Sequence, residues 1–374
     1  MNIQKFKDLV FEKMEETNLP GLSVSVFKDN EVIFSRGFGF RDIDKGLPST
    51  QHTIYGVGSI TKSFTALSIM QLQEAGKLNV EEPVKKYLPL KIEPGGEPIL
   101  IKHLLTHTSG IPALAYSESA LRSAIGVGDN WNPVSNVEDL LNFVNGAENW
   151  VYSEPEERWF YLNEGYGLLG AITEKCSGLP YEEYVRERII SPLGMNRSYF
   201  RKEEFEKEKD AATPYILSKD GDQIPSIYRS GRVYYPHGGL LSNVRDLSRY
   251  LQMYINGGKL EKNRIISEKS LEEMESFGIP TPNIEEPFGK TSFGYGLKIT
   301  QDFFGRKLIG HGGSVLVSTG YIGFVPEENI SIALLANGKG YPLAHLGMTG
   351  LALLLGRNPK DCPFVFRERA LKEL

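Results

Sequence analysis

Ser59-Ile60-Thr61-Lys62 places a serine and a lysine three residues apart at the start of a helix. On a helix, residues at i and i+3 lie side by side one turn apart, so a nucleophile has a base beside it. The preceding run from Tyr55 to Ser59 is rich in glycine, and Phe64, Leu67, Ile69, Met70 and Leu72 then supply the apolar face of a helix expected over 61–78. Ser59 falls at or near its N-terminus, where backbone N–H groups favour negative charge on a bound oxygen.

A Ser-x-x-Lys pair alone is a weak sign, because serine is a common helix cap. Two further elements follow in order: the Tyr-x-Asn of Trp159-Phe160-Tyr161-Leu162-Asn163, and Gly310-His311-Gly312-Gly313-Ser314. With them the chain resembles the serine β-lactamases and penicillin-binding proteins, and within that family the class C-like esterases and D-aminopeptidases. Leu104-Leu105-Thr106-His107-Thr108-Ser109-Gly110, Pro192-Leu193-Gly194-Met195, Gly238-Gly239-Leu240-Leu241-Ser242 with Asp246, and Leu335-Ala336-Asn337 match its hallmarks, and the resemblance spans residues 22–337.

The third element departs from the usual Lys-Thr-Gly. His311-Gly312-Gly313 resembles the D-aminopeptidases and an archaeal peptidase branch, which counts against β-lactamase activity. Some of those peptidases carry a further β-barrel, and the tail after residue 355 is expected to leave no room for one.

The 374 residues can bury a large core, and a formal charge of −5 gives no basic footprint for nucleic acid. No run approaches the roughly 20 apolar residues of a membrane span; 343–355 reads as a packed helix. The N-terminus lacks a signal core and alternates as an amphipathic helix to Met14. With Cys176 and Cys362 as the only cysteines, neither a disulfide framework nor a metal cluster is expected, and a cytoplasmic setting fits.

Apolar runs at 21–27 and 32–38, joined by Lys28-Asp29-Asn30-Glu31, read as a β-hairpin. Further strands are expected at 293–300, 304–310, 318–325 and 330–336, and helices at 139–144, 166–176, 181–190 and 244–255. Strands at both chain ends around a helical middle predict an α/β (α+β) architecture: one antiparallel sheet flanked by helices, with an inserted helical lobe. This is also the β-lactamase/transpeptidase-like fold that the resemblance implies. The whole of 1–374 is read as one module, residues 1–87 and 287–374 forming the α/β lobe and 88–286 the helical one, with the site in the cleft.

Ser59 needs a base to take its proton, and Lys62 serves only as a neutral amine, which burial and nearby positive charge favour. The resemblance implies that the Tyr161 phenol shares the proton shuttle and that Asn163 contacts the substrate amide. It also implies that the N–H groups of Ser59 and Ser314 hold the oxyanion. Gly312 and Gly313 let the backbone approach substrate. His311, mostly uncharged at pH 7, is expected to polarise the Ser59, Lys62 and Tyr161 network or to touch substrate.

Other motifs carry less. Gly165-Tyr166-Gly167-Leu168-Leu169-Gly170 matches a dinucleotide fingerprint without a βαβ unit around it, so close helix packing is the better use. His103 and His107 are spaced like zinc ligands but lack the metalloprotease glutamate, since Leu104 follows His103, and are expected to anchor loops. His237 is left unassigned. Specificity is expected in residues 113–134, 215–235 and 279–291, with Tyr228, Tyr234 and Tyr235 as an apolar acyl pocket.

The leading function is a metal-free, cofactor-free serine hydrolase acting on peptide or amide substrates, D-amino-acid ones first, with a carboxylesterase as alternative. An assembly or penicillin-binding module is the alternative of another class. No heptad seam fixes the oligomeric state, and a homo-oligomer stays open.

Overall fold

The computed structural model describes residues 3–114, 134–218, 220–276, 278–282, 288, 290–338 and 343–358. Its framework is an eight-stranded antiparallel sheet in the order Thr291–Phe293, Lys298–Thr300, Leu308–Ser314, Thr319–Val325, Ile330–Ala336, Gly21–Lys28, Glu31–Asp42 and Leu47–Pro48. The two chain ends meet in its middle, where Leu22 pairs with Ala336 and Lys28 with Ile330. The expected hairpin forms with Asp29 and Asn30 at φ 49° and 67°. Positive φ at both turn residues matches the twist of the strands in a two-residue hairpin.

Both faces of the sheet are covered, which is why Thr319–Val325 and Ile330–Ala336 are buried at every position. On one face Val24, Val26, Ile332 and Leu334 pack with Phe6 of helix Ile3–Glu16 and Leu351 of helix Leu343–Leu354. On the other, Ile322, Phe324, Ala333 and Leu335 join Leu247 and Leu251 of helix Val244–Ile255 and the helices of the middle of the chain. Each such aliphatic or aromatic side chain contributes about 1.5–3 kcal/mol when fully buried. A small polar contact crosses this layer, Ser248 Oγ donating to Ser25 Oγ at 2.8 Å.

Two strand expectations are corrected. Residues 293–300 are two short strands, Thr291–Phe293 and Lys298–Thr300, because Gly296 turns the chain at φ 72°. The run at 304–310 starts in a tight turn, with Phe304 at φ 55° and Gly305 at 79°, and the strand lies later, at Leu308–Ser314. The glycines there suit a strand closely approached by its neighbours: a Cβ on Gly310 would lie 2.3 Å from the Ile322 carbonyl oxygen.

Helix Thr61–Glu74 is shorter than the expected 61–78. Gly76 at φ 66° and the bond from Lys77 N to Leu72 O (2.9 Å) close it, the pattern of a glycine C-terminal cap. The 181–190 segment is α-helical at Tyr181–Val185 and π-helical at Arg186–Ile190. No helix among the described residues is long and apolar enough to cross a membrane. Cys176 is a free thiol, whereas Cys362, most of the 113–134 segment and part of 279–291 lie outside the described residues.

Candidate active site

Ser59 lies in a 3-10 turn, Gly58–Ile60, that runs directly into helix Thr61–Glu74. Gly58 takes φ 57°, and Thr61 Oγ1 ties the turn by donating to the Gly58 carbonyl at 2.7 Å. Lys62 is fully buried. Its Nζ lies 3.1 Å from Ser59 Oγ, 2.7 Å from Asn163 Oδ1 and 2.8 Å from the His237 carbonyl oxygen. The amine also sits over the rings of Tyr161, 4.8 Å from the centroid, and Tyr166, 5.6 Å.

The direction of the contact with Ser59 follows from the protonation state of Lys62. Carbonyl oxygens only accept, so Asn163 and His237 each take an N–H from Lys62 whether it is an ammonium or an amine. As an ammonium it donates to Ser59 Oγ. A neutral amine has no third hydrogen and aims its lone pair at the Ser59 hydroxyl.

His107 positions the Tyr161 segment. Its carbonyl accepts from Phe160 N at 2.9 Å and its Nδ1 from Leu162 N at 3.1 Å. Its ring lies 4.4 Å from that of Tyr161 and 4.8 Å from Phe293, centroid to centroid. Loop anchoring, expected for His103 and His107, is what both do; His103 Nδ1 accepts from Leu100 N at 3.1 Å. The glycine run is inside helix Asn163–Ser177, where a Cβ on Gly170 would lie 2.1 Å from Pro236 Cγ. That close approach seats the 235–238 turn and with it the His237 carbonyl on Lys62.

Strand Leu308–Ser314 closes the site. Val315 N donates to Ser318 O at 3.0 Å, and Ser314 is paired with Thr319. Antiparallel ladders alternate bonded and non-bonded pairs, which turns the Ser314 N–H away from its neighbour strand. Strand Lys298–Thr300 pairs only as far as Gly310 on that side. A Cβ on Gly58 would meet Ser314 N at 2.8 Å, and one on Gly313 would lie 3.2 Å from Ser59 N and 1.9 Å from Val57 O. The Gly313–Ser314 end of the strand and the Gly58–Ile60 turn thus lie in direct backbone contact.

His311 Nδ1 lies 2.5 Å from the Gly312 carbonyl oxygen, so Nδ1 carries the hydrogen and Nε2 the lone pair. Burial, then the Lys62 charge, pushes its pKa down to about 3. His107 and His237 are held well below the usual imidazole value, again by burial first and Lys62 second. The Nε2 atoms of all three are buried without a hydrogen bond among the described residues. Three neutral imidazoles therefore surround the lysine and add no competing charge.

A histidine pushed down is neutral in the fold but protonated in the unfolded chain below about pH 6.5, so its stabilisation is full at pH 7 and lost as pH falls toward its folded value. For His311 the native ring stays neutral at pH 5. Wild type is expected to lose about 2 kcal/mol more than His311→Asn between pH 7 and pH 5 in urea unfolding; equal losses would refute the neutral, buried ring.

The structure thus brings Ser59, Lys62, Tyr161 and Asn163 together and sets Gly313 and Ser314 against the Ser59 turn. Asn163, expected at the substrate amide, is bonded to Lys62. Of the three expected pocket tyrosines, Tyr228 and Tyr234 share an apolar cluster with Val315 and Val317, whereas Tyr235 belongs to the main core. Sequence reasoning missed the His237 carbonyl, which no side-chain identity signals, and Phe293, whose ring bridges His107 and His311 at 4.8 and 5.4 Å.

A serine and a buried lysine one turn apart, between an antiparallel sheet edge and a helical layer, define a β-lactamase/transpeptidase-type protein. The Beta-lactamase family model matches residues 6–356, and the chain belongs to that family. It is 26% identical over 347 residues to Protein flp of Staphylococcus aureus (strain MW2), covering 89% of this chain and 63% of that protein's length. It is 30% identical over 261 residues to the putative penicillin-binding protein PbpX of Bacillus subtilis (strain 168), covering 70% of this chain and 60% of that protein. The chain therefore spans less than two thirds of these curated relatives. The octameric penicillin-binding protein homologue from Pyrococcus abyssi superimposes with a TM-score of 0.93 at 49% identity, covering 100% of this chain and 82% of that one.

Proposed function

We propose that the protein is a serine hydrolase acting through an acyl-enzyme on Ser59. The observation that carries this is the buried Lys62 amine, which two obligate acceptors hold with its Nζ 3.1 Å from Ser59 Oγ. In the proposed cycle, Ser59 Oγ attacks a carbonyl carbon while its proton passes to Lys62 Nζ. The N–H groups of Ser59 and Ser314 receive the oxyanion. Tyr161 and Lys62 return the proton to the leaving group, and water releases the acyl group by the reverse path.

The substrate class is proposed as peptides or amides containing D-amino acids. The resemblance of His311-Gly312-Gly313 to the D-aminopeptidase form supports it, as does the neutral His311, which offers no charge to a β-lactam carboxylate. An ester substrate is the second reading, since the same nucleophile serves both. A pure scaffold would have no use for a buried lysine directed at a serine. Because the Pyrococcus abyssi homologue is described as octameric, we also propose a homo-oligomer.

Turnover of a D-amino-acid anilide, its L enantiomer and an aryl ester, each beside Ser59→Ala, tests the assignment. The D-anilide is expected to have the highest kcat/KM of the two anilides, with all turnover lost in Ser59→Ala. A preference for the L-anilide, or for the ester alone, would reject the D-peptide reading.

A further inference from the structure

The main-chain acceptor on Lys62 is itself gripped by two threonines of the lysine's own helix. The His237 carbonyl belongs to the short helical turn Tyr235–Gly238, which lies against helix Thr61–Glu74. On one side of it Leu240 N donates to Thr61 Oγ1 at 3.2 Å, and on the other Thr65 Oγ1 donates to the Pro236 carbonyl at 2.5 Å. Thr61, Lys62 and Thr65 are all fully buried, so bulk water does not compete for these bonds. The ring of Pro236 rests on Gly170. Packing of that kind sets the depth of the turn, and a directional bond sets the orientation of its carbonyl.

The order of donors behind Thr65 follows from chemistry. A hydroxyl has one hydrogen and a carbonyl only accepts, so the Thr65 hydrogen goes to Pro236. The Tyr181 hydroxyl, 2.7 Å from Thr65 Oγ1, is then the donor to Thr65. Burial pushes the Tyr181 phenol's pKa up, so it keeps that hydrogen at neutral pH. Tyr181 thus polarises the Thr65 hydroxyl and strengthens its hold on Pro236. One peptide further on, the His237 carbonyl meets Lys62 Nζ at 2.8 Å.

We propose that Thr65 is a positioning residue for the reaction at Ser59: by pinning the Pro236 carbonyl it sets the His237 carbonyl on Lys62, and with it the aim of the amine at Ser59 Oγ. Thr65 acts through Pro236 and His237 and takes no proton itself. This rests on the acyl-enzyme reading above, and one arm of its test reads geometry rather than turnover.

Thr65→Val keeps the branched shape and removes the hydroxyl, whereas Thr65→Ser keeps the hydroxyl. With an aryl ester or the D-anilide, Thr65→Val is expected to lower kcat by about tenfold or more with KM within about twofold of wild type. Thr65→Ser should recover kcat to within about threefold, and Tyr181→Phe, which leaves the Thr65 bond to Pro236 in place, should lose less than Thr65→Val. A loss in Thr65→Ser as large as that in Thr65→Val, or a loss carried by KM, would overturn the proposal. A crystal structure of Thr65→Val, or of Thr65→Ala should the valine variant not fold, is expected to place the His237 carbonyl oxygen more than about 3.5 Å from Lys62 Nζ. A separation still near 2.8 Å would overturn it as well. If wild type turns over neither substrate, the acyl-enzyme reading fails instead, and that distance alone decides whether Thr65 positions the carbonyl.

Discussion

Lys62→Met is expected to lower kcat/KM for every substrate by roughly 10²–10⁴-fold, the range of a lost general base. The protein should still fold, because methionine fills the buried stem of the lysine at similar volume. Asn163 Oδ1 and the His237 carbonyl each lose a donor, at about 1–3 kcal/mol apiece if nothing replaces it. Removing a polar amine that is fully buried works in the opposite direction. A melting temperature near that of wild type with activity all but gone is therefore the expected pair of results. Activity within about tenfold of wild type would mean that another group takes the Ser59 proton.

Gly313→Ala should be nearly as damaging for a different reason. The new Cβ would stand 1.9 Å from Val57 O and 3.2 Å from Ser59 N, against backbone that has no flexible end to yield. Strand Leu308–Ser314 must then move off the Gly58–Ile60 turn, separating the N–H groups of Ser59 and Ser314. Loss of one oxyanion donor typically costs 10²–10³-fold in kcat, about 3 kcal/mol, and that is the expected loss here, read in kcat more than in KM. Steady-state kinetics beside a thermal melt separate it from simple unfolding. Unchanged kcat in a folded variant would remove Ser314 from the proposed oxyanion site.

What the sequence disclosed follows from how local each cue is. The Ser59 and Lys62 relation is a matter of helix period, and the Asp29-Asn30 hairpin of turn chemistry, so both could be read from adjacent residues. Helix Val244–Ile255 was legible to the residue because Asn243 caps it and its apolar face repeats every turn. The shift of the His311 strand was not, since Phe304 at positive φ reads as strand by composition, and the glycines after Ile309 read as loop until Val57 and Ile322 are seen against them. The His237 carbonyl is a main-chain acceptor brought to Lys62 across 175 residues. The packing of Gly170 on Pro236 and the bond from Thr65 Oγ1 to the Pro236 carbonyl hold it there, and no one-dimensional pattern states that. The apolar cluster of Tyr228 and Tyr234 with Ile54, Leu241, Val315 and Val317 is likewise assembled from distant segments.

The central claim is that Ser59 carries the acyl group, with Lys62 receiving its proton. The most direct measurement is intact-protein mass followed by peptide mapping, after rapid acid quench of a reaction with an aryl ester, run on wild type, Ser59→Ala and Lys62→Met. The account predicts an acyl mass increment in wild type that maps to Ser59, none in Ser59→Ala, and strongly slowed formation in Lys62→Met. An increment that persists in Ser59→Ala, or maps to another residue, would contradict it.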